Sequence, residues 1–126
     1  MKADSYEAAP FIVKYFEQFH AVLDSLGLCF FASNWLDLDG LFPKDVALIT
    51  SSALGQDLSV EDLMLIGKRI HNVEKAFNVR HAGFSRKDDY PPERLMKEPI
   101  KSGPGKGELL DREKWDAMLE RYYGIH

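Results

Sequence analysis

The stretch SVEDLMLIGKRIHNVEKAF, residues 59–77, decides the fold class. It opens as a helix start: Ser59 can cap the first turn, and Asp62, three residues later, can answer it in a capping-box-like arrangement. Leu63, Ile66, Ile70, Val73 and Phe77 follow at alternating spacings of three and four, which is the period of a helix. The spacing predicts one buried stripe over about five turns.

Working outward, PKDVALITSSAL (43–54) reads as a second helix, opened by Pro43 and ended by Gly55. Before it lies a loop, ASNWLDLDG (32–40). Farther upstream, Pro10 can open a helix in its first turn. Ile12, Tyr15, Phe16, Phe19, Val22, Leu23 and Leu26 then recur at helical spacing, with Gly27 as the left-handed terminator. Phe11 and Val13 widen this face, so the helix calls for cover on more than one side.

Downstream, the periodicity breaks after Asn78. Residues 79–107 hold four prolines and four glycines, with one short helix begun by Pro91 and Pro92. A last helix starts near Asp111 and runs through Trp115, Met118, Leu119 and Tyr122 to Gly124. No segment alternates with period two and no repeat is present. The expectation is an all-α, irregular helical domain with a long Pro/Gly-rich loop, residues 1–126 forming a single domain.

The 126 residues are 45% hydrophobic and 29% charged, a globular balance. A net charge of -4, with Lys68, Arg69, Lys75, Arg80, Arg86 and Lys87 interleaved among acids, gives no basic arm for nucleic acid. No apolar run approaches the ~18 residues that span a bilayer, and MKADSYEAAP (1–10) has no apolar region of a signal peptide. One cysteine makes no intrachain disulfide, which favours a reducing, cytoplasmic setting. SGPGKG (102–107) lacks the first glycine and the final hydroxyl of a phosphate-binding loop.

Candidates for chemistry are few. His20, His71, His81 and His126 share no metal-ligand spacing. Asp37, Asp39 and Asp45 fall short of a full calcium loop. Asp88 and Asp89 follow Arg86 and Lys87, which predicts local ion pairing rather than acid–base work. Cys29 remains, in DSLGLCF (24–30). It reads either as a small buried apolar residue or as a thiolate presented behind a glycine turn to a soft metal or an iron–sulfur cluster. In the second reading, Asp24 can accept hydrogen bonds from the amide or amino groups of a heterocycle.

DSLGLCF resembles the D-x-x-G-L-C-x motif of the tungsten-containing aldehyde:ferredoxin oxidoreductase family. Three further blocks follow in the family's order. Residues 58–99 carry FNVR and the RKDD loop, GPGKG (103–107) is similar to Gly-Pro-Ser-Lys-Gly, and DREKWDAMLERYYGIH looks like the terminal helix. The resemblance covers residues 10–123. It implies that Asp24 hydrogen-bonds one pterin of a bis-pterin tungsten cofactor, and that the main chain at Gly27 and Leu28 lies against that pterin. It also implies that Cys29 is the fourth ligand of a 4Fe-4S cluster. Members often carry a polar or basic residue after that cysteine; here Phe30 and Phe31 stand instead, so the resemblance implies no polar side-chain contact there.

The sequence has no C-x-x-C-x-x-x-C motif for the other three cluster cysteines, no second pterin motif and no counterpart of the family's pterin-cradling β domain. The family's active-site glutamate and histidine lie upstream of the matching region, so no residue here is assigned as catalytic. Three readings stand. The first is the C-terminal domain of an enzyme that oxidises aldehydes to carboxylic acids and reduces ferredoxin, inactive and without cofactor in isolation. The second is a separate subunit that docks on a partner carrying the rest. The third is a free-standing helical interaction module without cofactor, self-associating as a homodimer through an exposed apolar surface.

Overall fold

A computed structural model of the chain describes residues 6–35 and 39–125. Asp37, His126 and residues 1–5 of the opening stretch lie outside the described residues. The fold is all-α: α1 (Ala9–Ser25), α2 (Pro43–Leu54), α3 (Val60–Ala82), α4 (Arg94–Lys97) and α5 (Arg112–Ile125), with short 3-10 turns at Phe30–Ala32 and Arg86–Asp89. A single isolated bridge, Ser33 to Leu41, is the only β pairing among the described residues. No helix among them is long and apolar enough to cross a membrane. The chain divides into two compact units, residues 15–78 and residues 1–14 with 79–126, with boundaries inside α1 and α3.

The unit of residues 15–78 is built on a core of Phe19, Val22 and Leu23 from α1, Val46 and Ala47 from α2, and Leu63 from α3. Phe19, Val22 and Leu23 are the i, i+3 and i+4 positions of one face of α1, and covering a large apolar side chain contributes about 1.5–3 kcal/mol. The helix ends follow the sequence signals. The Phe42 N–H donates to Asp45 Oδ2 at 2.9 Å, and Gly55 closes α2 with φ 64°. Ser59 and Asp62 form the reciprocal box: the Asp62 N–H donates to Ser59 Oγ (3.0 Å), and the Ser59 N–H donates to Asp62 Oδ2 (3.1 Å). Helices α1 and α3 come close at Gly67, where an added Cβ would lie 2.0 Å from the Gln18 carbonyl oxygen.

The predicted stripe on α3 is covered only at its start. Leu63 and Gly67 are buried and Ile70 half-buried, whereas Ile66, Val73 (69% exposed) and Phe77 (61%) face outward. Periodicity makes a face apolar, and a neighbouring element must cover it. Helix α3 also runs four residues beyond the expected break at Asn78, to Ala82.

In the other unit, Leu119 and Tyr122 of α5 and Ala8 near the start of α1 are buried. The 3-10 turn docks on α5 through Arg86 to Glu120 (2.5 Å), Tyr123 to Asp89, and Tyr90 to Asp116. The local ion pairing expected among residues 86–89 is thus replaced. Arg86 pairs with α5, and Asp88 accepts from the Ser85 N–H (2.7 Å) to cap the turn. The loop is pinned at its base, where the Leu110 N–H donates to the Leu95 carbonyl (3.0 Å). Toward its tip, the Ile100 N–H donates to the Glu108 carbonyl (3.1 Å).

Candidate functional site

The DSLGLC segment forms the C-terminus of α1 and the turn that leaves it. The Leu28 N–H donates to the Leu23 carbonyl (2.9 Å) and the Gly27 N–H to the Asp24 carbonyl (3.1 Å). That pair of bonds, with Gly27 at φ 70°, is a Schellman ending, which satisfies carbonyls that the last helical turn would leave open. Leu28 packs its side chain against the core that contains Leu23, the apolar contact that accompanies this motif.

Nothing lies within 4 Å of the place where a Cβ would stand on Gly27. The glycine is required by its backbone angle and leaves its outer face open. Asp24 is exposed on the last turn of α1.

Cys29 is a free, exposed thiol. The reading of it as a buried apolar filler is overturned, because Leu28 fills the core position and the chain turns Cys29 outward. Its backbone is extended (φ -66°, ψ 130°), and its carbonyl accepts from the Ala32 N–H (2.9 Å) to open the 3-10 turn. Ser33 locks that turn: its Oγ donates to the Phe30 carbonyl at 2.7 Å and its N–H donates there at 3.0 Å.

Residue patterns did not single out the ring cluster beside this turn. Phe30 meets His20 at 4.1 Å and Trp35 at 5.0 Å between centroids, and Phe16 meets His20 at 5.3 Å. Phe31, 69% exposed, extends the cluster outward. Burial holds the His20 pKa below its ordinary 6.5, and the Asp24 carboxylate acts in the opposite sense. The four-residue step from His20 to Asp24 puts those two on one helix face, but no period in the sequence signals the contact of His20 with Phe30.

Among the described residues, no group of three or more His, Cys, Asp or Glu side chains could hold a metal ion. His71 lies 3.5 Å from Glu17 and 3.9 Å from Glu74. Asp45 is occupied in capping α2. A cavity of about 350 Å³ in the unit of residues 1–14 and 79–126 is lined by Leu95, Ile100, Trp115 and Met118 with Glu98 and Glu108, and includes none of the residues of the turn. Chemically, the turn offers one exposed thiol, one exposed carboxylate and an open stretch of main chain. This set fits a flat, hydrogen-bonding heterocycle and one corner of a metal cluster. It fits no complete metal site.

A sequence model of a family described as "Aldehyde ferredoxin oxidoreductase, domains 2 & 3" matches residues 1–126. The chain is 38% identical over 110 residues to the tungsten-containing aldehyde ferredoxin oxidoreductase of Pyrococcus abyssi (strain GE5 / Orsay), an alignment that covers 87% of this chain. It is 37% identical over 110 residues to the proteins of the same name from Thermococcus kodakarensis and Pyrococcus furiosus. The chain spans 17% of the length of each of these relatives.

Proposed function

Since the chain belongs to the aldehyde ferredoxin oxidoreductase family, we propose that residues 1–126 serve as a single C-terminal helical domain of a tungstopterin enzyme. That enzyme oxidises aldehydes to carboxylic acids and passes the electrons to ferredoxin through a 4Fe-4S cluster. When bound, the bis-pterin tungsten cofactor and the cluster supply the redox chemistry.

This chain's own residues hold and orient. The Asp24 carboxylate accepts hydrogen bonds from pterin N–H groups. Gly27 leaves a face without a side chain, so that a flat ring can lie against the main chain of Gly27 and Leu28. Cys29 gives one thiolate to the cluster. Three more cluster ligands and the catalytic groups come from the remaining domains or a partner subunit, so the chain alone is inactive. The lone cysteine fits a reducing, cytoplasmic setting.

The observation that carries this reading is the exposed thiol of Cys29 directly behind the open face of Gly27. The test is to purify the chain anaerobically from its own cells under native conditions and to measure iron and tungsten in the assembly. About four irons per chain, together with tungsten, are expected. An assembly without either metal contradicts the proposal.

A second reading is favoured by one observation. Leu48 (70% exposed), Leu54 and Val73 are each bare in the unit of residues 15–78, apolar side chains that a free-standing interaction module could use for self-association. In that case the native chain would be a metal-free homo-oligomer.

A further inference from the structure

We propose that His20 is a positioning residue for the Cys29 ligand, acting through Phe30; this rests on the reading of Cys29 as a cluster ligand. His20 stands one turn before Asp24 on α1, and its ring meets Phe30 edge to face, with planes at 90° and centroids 4.1 Å apart. Trp35 meets the same Phe30 ring at 5.0 Å, and Phe16 backs both partners, 5.3 Å from His20 and 6.0 Å from Trp35.

Phe30 is covalently next to Cys29 and is held between a helix residue and a loop residue. The peptide that presents the thiol cannot swing away from α1 without separating the His20 and Phe30 rings. The Cys29 carbonyl and the Ser33 side chain fix the main chain on the far side of the turn. His20 and Phe30 therefore set the distance between the end of α1, where Asp24 and Gly27 stand, and the thiol.

The imidazole is not simple filler. Its Nε2 is buried with no hydrogen-bond partner among the described residues, a burden that a phenyl ring in the same place would not carry. Edge-to-face contact favours a ring with a positive edge against the π face of its neighbour, so His20 orients Phe30 as well as packing on it.

The test uses the native assembly with His20→Ala, His20→Phe, Phe30→Leu and the His20→Ala/Phe30→Leu double variant. It reads the rate of iron release to a chelator and the electron paramagnetic resonance spectrum of the reduced cluster. His20→Ala is expected to release iron about 2- to 10-fold faster, the range that follows from losing one aromatic pair, and to alter the spectrum. His20→Phe, which keeps a ring on Phe30, recovers most of the wild-type rate. Phe30→Leu reproduces the His20→Ala effect without touching α1, so the proposal stays open to disproof if His20→Ala does not fold. The double variant releases iron no faster than either single one, because both act on one contact.

Iron-bearing assemblies with wild-type release rates and spectra in His20→Ala or Phe30→Leu overturn the positioning role and leave Cys29 as a ligand. Additive effects in the double variant also overturn it. A wild-type assembly without iron overturns both this inference and the function it rests on.

Discussion

Two glycines of this chain are needed for different reasons, and substitution separates them. Gly27 has φ 70° and open space around its missing Cβ, so Gly27→Ala meets only backbone strain, about 1–2 kcal/mol. Gly67 has ordinary helical angles, where alanine would gain about 1 kcal/mol of helix propensity. Its Cβ would, however, lie 2.0 Å from the Gln18 carbonyl oxygen, a backbone atom that cannot swing aside. The clash wins, and Gly67→Ala is expected to cost about 1–3 kcal/mol, read as a lower urea midpoint at unchanged slope. His20 supplies a pH dependence. Its pKa is depressed by burial, so below about pH 6.5 the unfolded chain takes up the proton first and stability falls as pH falls. His20→Phe should remove that part of the slope in denaturation midpoints compared between about pH 7.5 and 5.5. Gly27 was legible as the terminator of α1 because a glycine after an apolar helix has one common use. His20 was not, since its role is a contact with a loop residue ten positions away, which no helical period encodes.

The helices themselves were legible from their ends. Pro43 and Gly55 bound α2, and the Ser59–Asp62 box opens α3, because caps are local chemistry between residues a few positions apart. Ser59→Ala leaves the Asp62 N–H without its side-chain acceptor and should cost about 0.5–2 kcal/mol in thermal or urea unfolding, with α3 otherwise intact. The extent of burial was less legible. Leu63 and Val73 occupy the same stripe of α3, yet one is buried and the other bare. An apolar period records what a face can bind, and no described residue of 15–78 covers Val73. Arg86 shows a related limit: its neighbours in sequence are acids, yet it bonds Glu120, 34 positions away. The nearby carboxylates are already engaged, Asp88 by the Ser85 N–H and Asp89 by the Tyr123 hydroxyl.

At the scale of the whole chain, the all-α class was legible, and several large apolar side chains are left bare. Leu48→Ser and Val73→Ser should change stability by no more than about 0.5 kcal/mol, since neither residue is packed. The pair should nonetheless lower self-association in sedimentation at high protein concentration. The chain carries one thiol and spans 17% of its relatives' length, so under the proposed function the other cluster ligands are groups outside it. The account turns on Cys29 as a cluster ligand. The direct measurement is iron content and electron paramagnetic resonance of the reduced native assembly, compared between wild type and Cys29→Ser. The account predicts that Cys29→Ser loses iron, wholly or from one corner of the cluster, and with it the wild-type signal, while the exposed side chain leaves folding unchanged. An unaltered signal and full iron in Cys29→Ser would contradict it.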